Sequence, residues 1–121
     1  MRASFSSSWT GSRKPSKQRK FRFNAPLHVQ RRFVSAHLSD QLRERHKRRS
    51  VPVRKGDAVK VMRGQFRGRA GKVEKVITGI SSVYIAGVER KKHDGSKSFY
   101  PVDASKIMIT ELDVSDKRRM K

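Results

Sequence analysis

Short apolar runs with period-two alternation fill the second half of the chain and predict β-strands. Five runs of strand length lie at residues 58–62, 73–77, 82–88, 97–102 and 107–112. Asp94-Gly95 lies between the third and the fourth run and is a strong hairpin signal. About five short strands within some sixty residues favour a small β-barrel, which we assign to residues 51–114. The predicted fold class is therefore mainly β.

Residues 21–50 carry a helical pattern instead. Asn24 is an N-cap candidate just ahead of Pro26, a good signal for the start of a helix. Apolar or long side chains then recur at helical spacing, at Leu27, Arg31, Val34 and Leu38. A second start lies at Ser39, with an acid in the turn that follows. We therefore expect a two-helix extension ahead of the barrel.

The two ends of the chain have no hydrophobic period. Residues 1–20 are rich in Arg, Lys and Ser and contain no acid, which predicts a basic arm that is disordered or ordered by RNA. The same composition is typical of an organellar transit peptide, and composition leaves that alternative open. Residues 115–121 predict a basic, frayed C-terminal tail.

The net charge narrows the class of partner. The chain of 121 residues has 31 basic and 10 acidic side chains and a formal charge of +21, which indicates a polyanionic partner. No apolar run is long enough for a transmembrane helix, so we expect no membrane association. The chain has no cysteine, which excludes disulfides and thiolate metal sites.

Glycines and cations alternate in the bend between the first two predicted strands. The residues of interest are Arg63, Gly64, Phe66, Arg67, Gly68, Arg69, Gly71 and Lys72. Glycine adopts positive φ where a chain reverses and lets another backbone approach closely. A cationic rim of this kind suits a sugar-phosphate backbone, although a turn alone also accounts for such glycines.

Two further basic clusters lie outside the bend. One is at the end of the second predicted helix, where five cations in residues 43–49 exceed what a helix dipole requires. The other is the predicted hairpin tip at residues 90–95. Separate clusters suggest several contacts with one large folded RNA.

Nothing in the sequence indicates catalysis. The chain has four histidines: His28, His37, His46 and His93. Their spacing matches no metal site, and no phosphate-binding loop or nucleophile elbow is present. We therefore predict no enzymatic activity, metal, cofactor or small-molecule substrate. A peptide-binding groove would need a lining of aromatic residues, whereas Tyr84, Phe99 and Tyr100 are more typical of packing.

Several segments resemble one family. Gly56-Asp57, then Arg-Gly-x-Phe-Arg-Gly in the bend and Gly-Lys-Val-x-x-Val after it, resemble the KOW motif of ribosomal proteins and transcription elongation factors. More segments match in order, at residues 19–28, 38–45, 49–57, 62–68, 83–92 and 106–112. Over about residues 18–114 the chain resembles the KOW-domain family of the large ribosomal subunit, number twenty-four in the universal scheme and twenty-six in the eukaryotic one, in its archaeal and eukaryotic branch. An elongation-factor module and a non-specific nucleic-acid-condensing protein are the alternatives.

The resemblance implies an SH3-like barrel bound to the 5′ region of the large-subunit rRNA near the polypeptide tunnel exit. It further implies a cytoplasmic ribosomal location, support of early subunit assembly, and contacts with neighbouring large-subunit proteins and with nascent-chain factors. Besides the bend, the predicted rRNA-binding residues are Arg13, Lys14, Lys17, Arg19, Lys20, Phe21, Arg22, Phe23, Asn24, Arg31, Arg32, Arg43, His46, Lys47, Arg48, Arg49, Ser50, Arg90, Lys91, Lys92 and His93. Asp103-Ala104-Ser105 departs from the His-Pro-Ser of many relatives, so we predict no role there.

Overall fold

Short helices and strands alternate in the first half of the chain, and strands dominate the second half. The computed structural model describes residues 4–120. In that range three α-helices are present: α1 Pro15–Asn24, α2 Leu27–Phe33 and α3 Asp40–His46. The strands of the same range are β1 Ser35–Leu38, β2 Ser50–Pro52, β3 Ala58–Val61, β4 Ala70–Ile77, β5 Ser82–Ile85, β6 Glu89–Lys91, β7 Lys97–Phe99, β8 Val102–Asp103 and β9 Ile107–Glu111. Three 3₁₀ turns cover Ser7–Gly11, Thr78–Ile80 and Ala104–Lys106.

Seven of these strands form one mixed sheet in the order β2-β1-β9-β3-β4-β5-β8. The neighbours β1 and β9 are parallel, and the other pairs are antiparallel. Strands β6 and β7 form a separate antiparallel hairpin. Within residues 4–120 no pairing joins β2 to β8, so the sheet is open at both ends.

Strand β4 is long and connects the part of the sheet that contains β3 to the part that contains β5. Its first residues pair with β3, and the rest pairs with β5. The register shifts between Val73 and Lys75, which is typical of a β-bulge. A bulge bends its strand and increases the local twist, so this shift lets the sheet curve around its core.

The core lies on one face of the curved sheet. Alternate residues of β1, β3, β5 and β9 are at most 1% exposed: Ala36, Leu38, Val59, Val61, Val83, Ile85, Ile107 and Ile109. Seven of these eight side chains are Val, Ile or Leu, and the residues between them face outward. This period-two pattern buries one face and leaves the other available for a partner.

The predicted strands are present, but the prediction of about five was too low. Strands occupy each of the five predicted runs, and β1, β2 and β6 are additional. The run at residues 97–102 divides into β7 and β8 at Tyr100-Pro101, where proline has no N–H for a sheet hydrogen bond. The mainly β class holds with three helices beside it, while a closed barrel is not confirmed.

The helical pattern after Leu27 ends earlier than predicted. Helix α2 stops at Phe33, and the residues expected to continue it form β1. Val34 and Leu38 are buried as expected, yet Leu38 belongs to a strand paired with β9. The second start was correct, because α3 begins directly after Ser39.

Residues 4–20 of the N-terminal arm fold back against α1 and α2, and the assignment of the arm as disordered or ordered by RNA stays a prediction. Phe21 of α1 is only 7% exposed, and its ring centroid lies 5.3 Å from that of Phe5 and 5.8 Å from that of Phe33. The side-chain amide of Gln18 donates to the carbonyl of Ser12, at 2.7 Å. Residues 1–3 of the predicted arm and residue 121 of the predicted tail lie outside the described residues.

A buried ion pair attaches the C-terminal tail to the sheet. The guanidinium of Arg119 donates to both carboxylate oxygens of Asp57 and to the carbonyls of Pro52 and Asp113. Asp57 is fully buried and also accepts from the backbone N–H groups of Arg54 and Asp113, at 3.0 Å each. The expectation of a frayed tail was therefore wrong at Arg119.

Replacing Arg119 with Ala should lower the free energy of unfolding by about 3–5 kcal/mol, because the Asp57 carboxylate stays buried without its counter-ion. Urea denaturation followed by circular dichroism measures this change. Arg118→Ala removes an exposed cation next to it and should change the free energy by less than about 0.5 kcal/mol. Equal stability of the two variants would contradict the role of the ion pair.

Candidate nucleic-acid interface

The bend between β3 and β4, residues 62–69, reverses the chain through two glycines. Gly64 and Gly68 have φ of +97° and +89°, a region that side chains rarely adopt. The N–H of Gly68 donates to the carbonyl of Val61 at 2.8 Å, and the N–H of Arg67 donates to that of Gly64 at 3.2 Å. The prediction that these two glycines serve a chain reversal is confirmed.

Gly71 has a different role from the one predicted. It lies inside β4, and a Cβ built on it would lie 2.3 Å from the carbonyl oxygen of Ala86. The backbone that approaches Gly71 is therefore that of the protein itself, in the segment after β5. The N–H of Ala86 donates to the carbonyl of Lys72 at 2.9 Å, which fixes this close approach.

The cations of the bend are exposed, and two of them are also held by the protein. A guanidinium N–H of Arg63 donates to the carbonyl of Ser105 at 2.8 Å. One of Arg69 donates to the carbonyl of Gly87 at 3.0 Å. These bonds fix the direction of both side chains, so the rim of the bend is partly ordered before any partner arrives. Arg67 and Lys72 are exposed as well.

Three side chains predicted to face RNA are used inside the protein. Phe66 is 9% exposed, and its ring centroid lies 4.9 Å from that of Tyr100. Phe21 is buried in the aromatic cluster of the arm. The side-chain amide of Asn24 donates to the carbonyl of Ser4 at 3.0 Å. Packing and backbone hydrogen bonding account for these three residues within the protein, and their contact with RNA stays a prediction.

The outer face of the sheet joins the bend to the cluster at residues 43–50. Paired residues of neighbouring strands point to the same face. The register places Ser50, His37, Met108, Lys60 and Ala70 side by side across β2, β1, β9, β3 and β4. All five lie on the face away from the core, so the two clusters that the sequence separates share one surface.

Burial and nearby cations lower the pKa of His37 on this surface. Loss of solvent is the main cause, and the guanidinium groups of Arg43, Arg49 and Arg63 lower it further, while Asp40 opposes them. Cations from α3, from the residue before β2 and from the bend therefore act on one imidazole. We call Arg43, Arg49, Lys60, Arg63 and Lys72 the cationic face.

Lys60 is a member of this face that the sequence analysis missed. Its Cα pairs with Met108 of β9 and Ala70 of β4, between the two predicted clusters. A signal was present, since Lys60 alternates with the buried Val59 and Val61 and so had to point outward. Lys60 was not assigned to a basic cluster because it does not lie among the other cations in the sequence.

The predicted hairpin is confirmed, and its strands β6 and β7 pair outside the seven-stranded sheet. Gly95 has φ of +89°, and the Asp94 carboxylate accepts from the N–H and the hydroxyl of Ser96, at 2.9 and 2.6 Å. These two hydrogen bonds lower the pKa of Asp94 below its ordinary value. The cationic residues of the hairpin are exposed: Arg90, Lys91, Lys92 and His93.

The remaining predicted ligands of the arm, the extension and the second cluster lie at the surface. Those that are exposed are Arg13, Lys14, Lys17, Arg19, Lys20, Arg22, Phe23, Arg31, Arg32, Lys47, Arg48, Arg49 and Ser50, while Arg43 and His46 are half-buried. The ammonium groups of Lys17 and Lys20 lie 6.0 and 5.4 Å from the ring centroid of Trp9. Their contact with RNA stays a prediction.

In residues 4–120 no group of three or more His, Cys, Asp or Glu side chains could hold a metal ion. A groove of about 800 Å³ beside α2 is lined by the cations Arg31, Arg54, Lys55 and Lys75 and by one carboxylate, Glu74. No helix in the same range has the length and apolar character needed to cross a membrane.

Comparison with known proteins identifies similar chains. A family model that describes the eukaryotic ribosomal proteins L26 and their archaeal L24 counterparts matches residues 12–121. The large ribosomal subunit protein uL24 of Methanosphaera stadtmanae is 47% identical over 108 residues, which cover 89% of this chain and 92% of that relative. The match therefore includes the helical extension, the sheet and the tail.

Gly71→Ala should destabilise the protein by about 1–3 kcal/mol, because the new methyl group would collide with the Ala86 carbonyl. Gly79→Ala is the matched control, since its Cβ would meet no atom within 4 Å and should change stability by less than about 0.5 kcal/mol. The midpoints of denaturant unfolding curves measure the stability of the two variants. A Gly71→Ala protein as stable as Gly79→Ala would refute the close approach.

The pKa of His37 should lie below its ordinary value of 6.5, and Arg49→Gln should raise it because one of the neighbouring positive charges is lost. Imidazole proton shifts followed by NMR across pH give both values. Arg48→Gln serves as the control and should leave the pKa of His37 unchanged. The shared surface would be disproved by equal His37 pKa values in the Arg49 and Arg48 variants.

Proposed function

Because this chain belongs to the family of eukaryotic ribosomal proteins L26 and their archaeal L24 counterparts, we propose that it binds the 5′ region of the large-subunit rRNA near the polypeptide tunnel exit. We further propose that this binding supports early assembly of the subunit. Membership of the family makes the chain a structural protein of the large ribosomal subunit in the cytoplasm, not an enzyme.

The cationic face is the observation that best supports the proposed RNA contact. Arg43, Arg49, Lys60, Arg63 and Lys72 come from five separate segments and lie on one outer surface of the sheet. Of these five, Arg43 has a carboxylate partner in the described residues, Asp40, at 3.7 Å. Phosphate groups would supply the missing negative charge.

The expected mode of binding is recognition of shape and backbone. The major groove of A-form RNA is deep and narrow, so side chains reach phosphates and riboses more easily than base edges. A face built on a sheet keeps its cations at fixed spacings, which favours a folded RNA over a flexible strand. Affinity should then depend strongly on salt, because each neutralised phosphate releases counterions.

We propose that five contiguous strands, β9-β3-β4-β5-β8, form the SH3-like KOW unit within residues 51–114. The extension at residues 21–50 then adds β1 at one edge of this unit, and β2, at the boundary between the two, pairs with β1. In this arrangement the arm at residues 1–20 and the tail at residues 115–121 flank the unit. The register supports the proposal, because β1 extends the sheet by pairing with β9.

The hairpin and the helical extension supply the other proposed contacts. Residues 90–97 project as a separate cationic hairpin that would point toward the tunnel exit, where neighbouring ribosomal proteins or nascent-chain factors could meet it. Residues 19–24 and 43–50 would lie between rRNA helices. The Lys and Arg side chains of all three segments are exposed except the half-buried Arg43, which supports these contacts.

Removing the positive charges of the bend and of Lys72, which follows it in β4, should weaken rRNA binding and flatten its salt dependence. The variant carries four substitutions: Arg63→Ala, Arg67→Ala, Arg69→Ala and Lys72→Ala. Each lost phosphate contact should reduce the slope of log affinity against log salt by about 0.7–0.9. Filter binding to a transcript of the 5′ region of the large-subunit rRNA, at several salt concentrations, measures both quantities.

A control of equal charge change uses exposed cations away from the bend: Lys55→Ala, Lys75→Ala, Lys117→Ala and Arg118→Ala. Circular dichroism checks that both variants fold, since Arg63 and Arg69 also bond to the protein backbone. The proposal fails if the folded bend variant matches the control in affinity and slope. It also fails if the native chain binds other rRNA regions of equal length as tightly, as a non-specific condensing protein would.

A further inference from the structure

Phe23 is an aromatic side chain whose position the fold does not explain. It is 85% exposed at the end of α1, whereas Phe21, two residues earlier, is 7% exposed. Burial of apolar surface stabilises a protein, so a phenylalanine ring in water gives up that gain. Phe23 and Ile80, which is 59% exposed, border the same pocket, and an exposed apolar patch of this kind indicates contact with a partner.

Phe23 borders a pocket of about 270 Å³ between the helical extension and the sheet. Its walls come from α1, from the end of α2 and from the 3₁₀ turn Thr78–Ile80. Besides Phe23, the residues that matter are Arg19, Arg22, Phe33, Gly79 and Ile80. We call this site the corner pocket.

The chemistry of the corner pocket is aromatic, aliphatic and cationic. Ile80 is 59% exposed and offers a second apolar surface opposite the helices. The guanidinium carbon of Arg22 lies 5.7 Å from the ring centroid of Phe33, so this cation is held beside the apolar walls. Arg19 adds a second cation, and no carboxylate lines the pocket.

We propose that the corner pocket takes one rRNA base turned out of its stack, with the base on the ring of Phe23 and its phosphates on Arg19 and Arg22. Proteins recognise unstacked RNA bases by stacking them on aromatic side chains. This inference rests on the proposed function, because it assumes that the partner is rRNA. It adds Ile80 and Gly79, which lie far from the basic clusters in sequence, to the contact surface.

The size and charge of the pocket favour a base over a protein segment. A docked helix or strand needs a groove that extends over several residues, whereas this site is a short corner where three segments meet. A purely apolar peptide would leave Arg19 and Arg22 without an anionic partner. One nucleotide supplies both a planar ring and a phosphate.

Substitution of Phe23 tests the stacking directly. The full chain with Phe23→Leu keeps an apolar side chain but loses the aromatic face, so its affinity for the large-subunit rRNA should fall by about 5- to 100-fold. Phe23→Trp should retain the affinity. The salt slope should stay unchanged in both variants, because stacking releases no counterions. Leu27→Ala, which removes a 55% exposed apolar side chain outside the pocket, should bind like the native chain.

A second measurement identifies the ligand. Ultraviolet crosslinking of the native chain to the rRNA, followed by mass spectrometry, should give a nucleotide attached to residue 23, and Gly79→Leu should abolish this crosslink by filling the pocket.

Native affinity in Phe23→Leu, equal losses in the Leu and Trp variants, or a crosslink to protein alone in assembled subunits would overturn the inference. If the bend variant still loses affinity in that case, the proposed function stands without the corner pocket. If the native chain shows no preference for its rRNA, the proposed function and the corner-pocket inference are both contradicted.

Discussion

The parallel pairing of β1 with β9 is the constraint on which the proposed interface depends. His37 and Leu38 pair with Met108 and Ile109, and the N–H of Ser39 donates to the carbonyl of Ile109 at 3.0 Å. This short pairing docks the extension on a sheet formed by the rest of the chain. Because Leu38 then points into the core, His37 must point outward, beside cations from both halves of the chain. A slip of β1 by one residue would turn His37 toward the core and Leu38 outward.

The sheet holds like charges together without neutralising them. Three ion pairs are present in the described residues, and only the one between Asp57 and Arg119 is buried. Burial is the main cause of the lowered pKa of His37, and Arg43, Arg49 and Arg63 lower it further, which is a local effect of this uncompensated charge. Backbone pairing and core burial therefore hold the cations against their repulsion. A chain with a charge of +21 gains most from a partner that brings phosphates to this surface.

Turns that depend on the conformational preferences of their own residues could be predicted from the sequence. Roles that depend on contacts between residues distant in sequence could not. Gly64, Gly68 and Asp94-Gly95 mark turns by their own conformational preferences, and the structure has turns there. Gly71 resembles them in sequence, but its role depends on Ala86, which only the folded sheet brings close. Strand β1 was missed because the spacing of Val34 and Leu38 fits a helix, and its partner β9 lies some seventy residues further along.

The Phe-Arg-Phe sequence at residues 21–23 shows how one helix can serve both fold and partner. Residues two apart lie on nearly opposite faces of an α-helix. Once Phe21 is buried against Phe5 and Phe33, Phe23 has to face away from that cluster. Helix α2 then packs near the 3₁₀ turn before β5, which places Ile80 opposite the exposed ring. The packing that orders the arm therefore also forms the corner pocket. One short segment of α1 thus supplies both an apolar contact to the fold and a surface for the proposed RNA contact.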